Sequence, residues 1–528
     1  MAPVREAIPD TVEIRSAPRV PVVAADLGIG VDNDRVGTPR HRLVTIGDSL
    51  THGFQSGAIF NTDLSFPAII AHELGIANRF RHPSYPGFGG IPLNFELLVR
   101  ELEERFGSDV SPWELPSAVF HLRHHLAQAE HWWHDGPGGA LPQRGPINHN
   151  LGIYGWDLRD ALSRNADNAG AEHRTDAGFE LIPLIRNADR IAAARVLDSA
   201  RTAGGLPMTP LGAAHALSRE GTLEDAEGDG IETLTVLLGA NNALGCVMNL
   251  CVRWSGEGFD DLRAKAAYNV WQPPHFAAEW ALVAAALRRV RARHVLIGTV
   301  PHVTIAPIAR GIHGKVQEGS RYFTRYVRPW VDDETFDEEQ DAFLTAEEAR
   351  AVDSAIDAYN DTIVASVAAA REDGLDWRIT EIGAALDRLA FRRYLDDPAV
   401  DRPDWLTPYP LPPALAALDP VPDSRFFVSD ETGRKSGGLF SLDGVHATTV
   451  AYGLMAQEFM RTMEEAGVVF HRQDGVTVRD SPVDVDFDRL LARDTLVGRP
   501  PACLADAVRW IGWIDERADV LRRLWAGV

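Results

Sequence analysis

Five short apolar runs, each followed by polar, glycine or proline residues, constrain the fold of this chain more than any other feature of its sequence. The stretches between them have the apolar periodicity of amphipathic helices. The runs cover residues 42–46, 150–154, 232–238, 294–300 and 377–382. Strands that alternate with helices form parallel sheets, because each helix carries the chain back to the starting edge. The pattern therefore predicts an α/β fold around one mostly parallel, five-stranded sheet.

Two of the intervening helices are well specified. Residues 276–290 (FAAEWALVAAALRRV) combine an apolar face with a basic last turn and lead almost directly into the fourth run. Thr345 and Glu348 have the spacing of a capping box. Apolar residues then recur on one helical stripe at Val352, Ile356, Tyr359, Ile363 and Val367. We expect a helix in each segment.

The 528 residues exceed what five strands and their crossovers need. We expect an N-terminal extension over residues 1–40, the α/β unit over 41–466 and a C-terminal extension over 467–528, in which residues 502–524 are helix-like. The excess inside the α/β unit is assigned to insertions at about residues 51–147, 160–230, 302–343 and 384–438. Seven prolines within residues 403–422 exclude regular structure from part of the last insertion.

The chain is acidic, with 52 Lys and Arg against 75 Asp and Glu and a formal net charge of -23. This charge makes nucleic acids and anionic membrane surfaces poor partners. No run approaches the roughly 18 apolar residues of a membrane helix, and the N-terminus lacks the apolar stretch of a signal peptide. We therefore expect a cytoplasmic protein with no integral membrane segment. The three cysteines, Cys246, Cys251 and Cys503, are too few for a disulfide framework or a zinc site and are expected to be buried.

A serine follows the first run in Gly47-Asp48-Ser49-Leu50. Its position predicts a sharp turn at the carboxyl end of a parallel strand, the edge where ligands bind in open α/β sheets. The N–H groups of a helix that starts there would favour an anion beside the serine. An ordinary N-cap serine explains the same four residues, so the motif needs a base to indicate a nucleophile.

A candidate base lies near the other end of the chain, in Asp443-Gly444-Val445-His446. Two residues separate the carboxylate from the imidazole, so a short loop can bring both side chains to one side. Asp443 would accept a hydrogen bond from one ring nitrogen and leave the other facing Ser49. Taken alone, such a pair is common by chance and is usually a helix-start carboxylate with a nearby surface histidine.

Donors for a developing oxyanion are also expected at this edge of the sheet. Asn241 follows the third run, and its side-chain amide is a donor. Gly155 follows the second run, and a glycine lets a backbone N–H approach a substrate closely. Ordinary loop chemistry explains both residues as well. The sequence YPGFGGIP offers a rival glycine loop with Gly87, Gly89 and Gly90.

Taken together, and in their order along the chain, the four blocks resemble the SGNH or GDSL family of serine hydrolases over about residues 41–465. The blocks are those of Ser49, Gly155, Asn241, and Asp443 with His446. The resemblance implies a three-layer α/β/α sandwich with a flavodoxin-like sheet and hydrolysis of esters without a metal or other cofactor. It implies that Ser49 is the nucleophile, His446 the base and Asp443 the acid that orients it. The implied oxyanion hole consists of the Ser49 N–H, the Gly155 N–H and Asn241. Many members have Asp after that asparagine, whereas this chain has Asn242.

Other polar and aromatic residues have simpler explanations. The segment HLRHHLAQAEHWWH contains His121, His124, His125, His131 and His134. His121 and His125 have the i, i+4 spacing of a helical metal pair, but no glutamate lies between them in the general-base position, and a polar helix face is the simpler interpretation. Phe120, Trp132, Trp133 and Trp156 are candidates for an apolar acyl pocket, but buried aromatic residues are also ordinary core material.

The leading hypothesis is an esterase or lipase-like hydrolase that acts on a small-molecule ester or acylated substrate through Ser49. An acyltransferase that uses the same site and a non-catalytic protein that retains the fold are the alternatives, and a metallohydrolase built on the histidine cluster comes last. The sequence indicates neither the acyl nor the alcohol portion of the substrate, nor the oligomeric state.

Overall fold

The computed structural model describes residues 5–32, 35–107, 114–141, 144–169, 185, 187–390, 393 and 402–502. The helix predicted at residues 502–524 and Cys503 therefore lie outside the described residues, except for residue 502 itself. Cys246 is buried as expected, whereas Cys251 is partly exposed. Within the described part of the chain, no helix is long and apolar enough to cross a bilayer.

Four of the five predicted strands form one parallel sheet. The strands in chain order are β1 His41–Gly47, β2 Phe54–Gln55, β3 Ala58–Ile59, β4 Ile91–Pro92, β5 Ile231–Leu237, β6 Ala292–Gly298, β7 Arg310–Lys315, β8 Phe323–Val327, β9 Leu344–Thr345, β10 Trp377–Thr380, β11 Val428–Asp430 and β12 Gly433–Ser436. The central sheet has the order β1-β5-β6-β10 with every neighbouring pair parallel. Its strands are almost wholly buried, as expected for a parallel sheet covered by helices.

The second run, residues 150–154, does not form a strand. It lies beside β1 with a single parallel bridge between Thr45 and Asn150, and Leu151 N–H donates to the Thr45 carbonyl at 2.9 Å. The Asn150 side chain accepts from Gly152 N–H at 3.0 Å and donates to the Thr51 carbonyl at 2.8 Å. Thr45 N–H also donates to the His149 carbonyl at 2.8 Å and Ile153 N–H to the Gly47 carbonyl at 3.1 Å, so the segment follows the edge of the sheet through three backbone hydrogen bonds without becoming a regular strand.

The helices in chain order are α1 Ser49–His52, α2 Phe66–Glu73, α3 Phe95–Phe106, α4 Leu115–His134, α5 Leu158–Ser163, α6 Ala188–Leu197, α7 Pro210–Ser218, α8 Asn241–Asn249, α9 Pro273–Leu287, α10 Ala346–Glu372, α11 Ile382–Leu389, α12 Pro413–Ala416, α13 Thr449–Glu465 and α14 Phe487–Arg493. Short 3-10 turns occur at Ala24–Leu27, Thr62–Leu64, Pro137–Gly139, Leu262–Ala267 and Val303–Ile305. Both helices predicted in detail are confirmed as α9 and α10. The capping box that starts α10 is complete, with Glu348 N–H donating to Thr345 Oγ1 at 3.1 Å and Thr345 N–H to the Glu348 carboxylate at 2.8 Å.

Two groups of helices pack on the central sheet. α13 contacts α2, β6 and β10, while α10 contacts α9 and β10. Phe276 of α9 stacks on Tyr359 of α10 with ring centroids 4.1 Å apart, and both rings are fully buried. The short sheets β2-β3-β4, β7-β8-β9 and β11-β12 come from the segments predicted as insertions. The architecture is therefore an α/β fold with a four-stranded parallel sheet and additional small antiparallel sheets.

Candidate active site

The turn after β1 places Ser49 at the start of a one-turn helix. Asp48 is the N-cap of α1, and its Oδ1 accepts a hydrogen bond from Leu50 N–H at 3.0 Å. Gly47 is required at the end of the strand, because a methyl group there would lie 1.9 Å from Thr51 Oγ1 and 2.7 Å from the Leu237 carbonyl oxygen. The close approach of backbone and Thr51 therefore fixes where the serine emerges from the sheet.

The structure brings Ser49, His446 and Asp443 into one hydrogen-bonded chain. Ser49 Oγ lies 2.9 Å from His446 Nε2, and His446 Nδ1 lies 2.9 Å from Asp443 Oδ2. All three residues are at least 97% buried. An ionised carboxylate only accepts hydrogen bonds, so Nδ1 carries the imidazole proton and Nε2 accepts from the serine hydroxyl. The histidine is thereby held in the tautomer that can take a proton from Ser49.

The carboxylate of Asp443 is held by four further donors. Oδ1 accepts from Val445 N–H and His446 N–H, each at 2.8 Å, and from the Ser441 hydroxyl at 3.3 Å. Oδ2 accepts from Gly57 N–H at 2.9 Å. Burial alone would raise the pKa of Asp443, but His446 and these hydrogen bonds outweigh it and hold the pKa below its usual value. The side chain is therefore a carboxylate at neutral pH.

The hairpin β2-β3 anchors the loop that carries Asp443. Ser56 N–H donates to Ser441 Oγ at 2.8 Å, and Leu442 N–H donates back to Ser56 Oγ at 3.1 Å. Sequence reasoning did not identify this hairpin. Ser56 and Gly57 both have positive φ, at 51° and 83°, which is the signature of a tight hairpin turn. The Ser-Gly dipeptide between apolar residues was the signal that could have revealed it.

The predicted oxyanion donors lie in loops that touch each other. Asn241 begins α8 and lines the same cavity as Ser49 and His446, and its Nδ2 donates to the Trp156 carbonyl at 2.9 Å. Gly155 precedes that carbonyl and has φ of 75°, a conformation that favours glycine. Among the described residues, no hydrogen-bond acceptor contacts the N–H of Ser49 or of Gly155. The rival glycines Gly87, Gly89 and Gly90 instead pack against Trp132, Leu97 and Ile59.

His52 is hydrogen-bonded to the loop that carries Gly155. Its Nδ1 accepts from Tyr154 N–H at 3.2 Å, and its Nε2 is 2.8 Å from the Tyr85 hydroxyl. Burial lowers the pKa of His52 to about 3, so the ring is neutral and can accept at Nδ1 while donating at Nε2. Sequence reasoning assigned no role to this residue, although it follows the serine motif directly in Thr51-His52-Gly53.

Two buried polar residues beside the motif residues have unpaired atoms. Neither the Oδ1 nor the Nδ2 of fully buried Asn242 has a hydrogen-bond partner within the described chain. The same is true of Asp48 Oδ2, and burial raises the pKa of Asp48 to about 7. Asn242 is the position where many members of the family named above carry Asp, and here a neutral side chain occupies an apolar surrounding.

A largely apolar cavity of about 960 Å³, counting its open mouth, extends from Ser49 and His446. Its walls come from the start of α8, the segment after β6, α11, α13 and the loop before α13, and its lining residues include Leu244, Val303, Ile382, Ala385, Leu386, Leu389, Tyr409, Phe440, Ala451, Leu454, Met455 and Glu458. The expectation that Phe120, Trp132, Trp133 and Trp156 form this pocket is wrong, since none of them lines it. Phe120 is 75% exposed on α4, and Trp133 is fully buried beneath Tyr85.

A second histidine, His302, also lines the cavity. Its Nδ1 lies 2.8 Å from Asp387 Oδ1 and its Nε2 lies 3.1 Å from Asp357 Oδ1. Burial alone would lower the pKa of His302, but the charges of Asp387, Asp353 and Asp357 outweigh it and raise the pKa to about 10. The ring is therefore an imidazolium at neutral pH, and both of its N–H groups are used by aspartates.

The histidine cluster of α4 is a surface feature. His121 and His125 face Glu101 at 3.4 Å and 3.9 Å, and His131 and His134 face Asp135 at 3.6 Å and 2.8 Å. Within the described ranges, no group of three or more His, Cys, Asp or Glu side chains is arranged to hold a metal ion. These contacts with nearby carboxylates agree with the polar helix face, one of the two simpler interpretations that the sequence favoured, the other being a pocket lining.

Comparison of the chain with models of known protein families, with curated proteins and with solved structures found no match. Function is therefore inferred from the geometry of the site and from the motifs that it contains.

Proposed function

We propose that the chain is a serine hydrolase of the SGNH or GDSL type that cleaves carboxylic ester bonds. The observation that carries this proposal is the buried chain of hydrogen bonds from Asp443 through His446 to Ser49 at the mouth of an apolar cavity. Nucleophile, base and orienting acid in hydrogen-bond reach are the defining arrangement of such enzymes, whatever the fold. The parallel sheet with an irregular segment beside β1 is compatible with the three-layer, flavodoxin-like fold of that family.

In the proposed reaction, Ser49 Oγ attacks the ester carbonyl carbon while its proton passes to His446 Nε2. The oxyanion that forms accepts hydrogen bonds from the Ser49 and Gly155 N–H groups and from Asn241 Nδ2. An amide nitrogen carries two N–H donors, and the Trp156 carbonyl occupies one of those of Asn241, so the other is available. Because a carbonyl only accepts hydrogen bonds, the Trp156 carbonyl also fixes the orientation of the Asn241 amide, with its nitrogen toward that carbonyl.

Collapse of the tetrahedral intermediate breaks the bond to the alcohol oxygen, which takes the proton from His446 Nε2 as it leaves. A water molecule then attacks the acyl-enzyme and gives its proton to the same nitrogen. The carboxylic acid is released when Ser49 recovers its proton. Throughout the cycle the Asp443 carboxylate stabilises the transient imidazolium, which explains why so many donors keep it ionised.

The first test is Ser49→Ala with p-nitrophenyl butyrate as substrate. We expect kcat to fall by about 10⁶-fold, because the nucleophile of a triad contributes on that order. Ser218→Ala is a matched control, since Ser218 is also buried but bonds only the His215 carbonyl in α7. A fluorophosphonate should add one mass adduct to the wild type at Ser49 and none to Ser49→Ala.

Undiminished turnover in pure Ser49→Ala would refute the proposal. Absence of both turnover and labelling in the folded wild type would instead favour a non-catalytic protein. If an added alcohol diverts most product to a new ester at low concentration, the same residues act in acyl transfer.

A further inference from the structure

The cavity has a definite long axis given by two helices. α13 starts three residues after His446 and presents Ala451, Leu454, Met455 and Glu458 to the cavity at i, i+3, i+4 and i+7 spacing. α11 presents Ile382, Ala385, Leu386 and Leu389 with the same spacing. α11 and α13 contact each other, so the two stripes, apolar except for Glu458, line the cavity together beyond the side chains of Ser49 and His446.

The length of this channel follows from the helix rise. Glu458 is the tenth residue of α13, so it lies about 13 Å along the helix from Thr449, at ~1.5 Å per residue. An extended hydrocarbon chain with C–C bonds of ~1.5 Å advances roughly 1.3 Å per carbon. The length of α13 from its first residue to Glu458 therefore corresponds to about ten carbons of an extended chain.

The polar groups of the wall beyond the catalytic mouth are already bonded to protein. Both ring nitrogens of His302 are bonded to Asp357 and Asp387, neither of which lines the cavity. Glu458 accepts from the Tyr409 hydroxyl at 2.6 Å and is paired with Arg461. A ligand in this channel meets mostly hydrocarbon, and the polar groups named above are already bonded to protein, so the lining favours an aliphatic chain over a sugar or a peptide.

Tyr409 closes the far end of the channel. It belongs to the proline-rich stretch of residues 402–412, and its N–H donates to the Arg388 carbonyl at 3.3 Å. The Arg388 guanidinium lies 5.3 Å from the centre of the Tyr409 ring and also donates to the Thr407 carbonyl at 3.0 Å. With its hydroxyl on Glu458 of α13 and its backbone on α11, the ring is fixed between the two walls and is 6% exposed.

We propose that this channel binds the acyl chain of an aliphatic ester of medium length and that Tyr409 sets the upper limit of that length. The inference rests on the proposed function of Ser49, because it takes the acyl-enzyme bond as the anchor from which the chain extends. Tyr409 is then a specificity-determining residue, bonded to Glu458 about two and a half helical turns from the start of α13.

The experiment is a series of p-nitrophenyl esters from acetate to palmitate, assayed with the full-length chain. For the wild type, kcat/KM should rise by up to about fourfold per added methylene, which is the equivalent of ~0.8 kcal/mol of buried CH₂. The rise should end near ten carbons and reverse beyond that length. Ala385→Trp fills the channel from α11, so it should lower the ratio of decanoate to acetate turnover by about tenfold or more.

Tyr409→Ala opens the far end, so it should raise the ratio of myristate to decanoate turnover by about tenfold. Tyr409→Phe keeps the ring but removes the hydrogen bond to Glu458, so it tests whether the ring or the hydrogen bond limits the length of the acyl chain. A length limit that moves with Tyr409→Ala but stays in Tyr409→Phe supports the ring as the stop. If the length profile is unchanged in both Tyr409→Ala and Ala385→Trp, the acyl chain lies elsewhere and the inference is wrong.

Failure of this inference and failure of the proposed function give different results. Calorimetric binding of decanoate to Ser49→Ala does not depend on turnover, and Ala385→Trp in the same background should weaken it by about tenfold. Ester hydrolysis with no decanoate binding and no dependence on chain length leaves the hydrolase and removes the channel. Decanoate binding without hydrolysis by the wild type leaves an aliphatic binding site and removes the hydrolase.

Discussion

Two buried histidines line the same cavity, and each is bonded to aspartate, yet their surroundings give them opposite chemistry. His446 has Asp443 on Nδ1 and the Ser49 hydroxyl on Nε2. His302 has Asp387 on Nδ1 and Asp357 on Nε2. A carboxylate accepts hydrogen bonds and a hydroxyl can donate one, so the second partner decides whether Nε2 can receive a proton. His446 is arranged as a base, and His302 is a fixed cation.

The second carboxylate bonded to His302 also changes how that histidine contributes to stability. His302 carries its charge at neutral pH and connects the segment after β6 to α10 and α11, the elements that hold Asp357 and Asp387. Such a buried charged cluster contributes to stability only as a complete set, because loss of one partner leaves an uncompensated charge. Substitutions at the two histidine sites should therefore separate activity from stability.

The largest contrast is expected between His446→Ala and His302→Gln. Removal of the base should lower kcat by about 10⁶-fold. His302→Gln removes no group that contacts the reacting atoms, so kcat per folded molecule, counted by fluorophosphonate labelling, should change by less than about tenfold. Equal losses in both variants would mean that the base is not His446 alone.

The aspartates bonded to the two histidines, Asp443 and Asp387, should show the same separation of activity from stability. Asp443→Asn should lower kcat by about 10⁴-fold, because an amide that donates to Nδ1 favours the wrong tautomer. Asp387→Asn should lower the free energy of unfolding by about 3 kcal/mol and leave kcat of the folded protein nearly unchanged. Urea unfolding and p-nitrophenyl butyrate turnover measure the two quantities. Loss of kcat in Asp387→Asn together with normal kcat in Asp443→Asn would reverse the comparison.

The change per pH unit is the smallest effect, and it concerns the dependence of stability on pH. The folded-state pKa of His302, about 10, lies above its unfolded value, so the folded chain binds this proton more tightly. The resulting stabilisation is fully present below about pH 6.5 and is lost as the pH rises through about 10, by at most ~1.4 kcal/mol per pH unit. The difference in free energy of unfolding between wild type and His302→Gln should shrink across this window. A constant difference would show that His302 is uncharged.

The proximity of Ser49, Asp443 and His446 could be anticipated because each motif is local and each has a definite place at a strand end or helix start. The four regular strands of the sheet were found to within one or two residues for the same reason. The fifth run follows β1 through three backbone hydrogen bonds but forms only a single bridge, and a hydrophobicity pattern contains no information about where a strand becomes irregular.

The channel and the contacts of His302 could not be predicted from local sequence patterns. His302 meets residues 55 and 85 positions away, on two different helices, and no local pattern encodes that meeting. Tyr409 lies in a proline-rich stretch that reads as a surface loop. Aromatic residues are usually buried, but a sequence does not show what they are buried against. Local patterns therefore do not distinguish a pocket lining from the packing of α4 at Trp132 and Trp133.

The hairpin that binds Asp443 has a consequence for how the protein is made. Gly57 N–H and Ser56 Oγ, which hold the acid loop, follow the nucleophile by fewer than ten residues, whereas Ser441 and Asp443 are synthesised nearly four hundred residues later. A growing chain on the ribosome can thus form the local β2-β3 hairpin early, but His446 is not yet present beside Ser49. Reactivity of Ser49 toward a fluorophosphonate should appear in one step, after the segment through His446 has left the ribosome, and would serve as a marker of folding of the whole site.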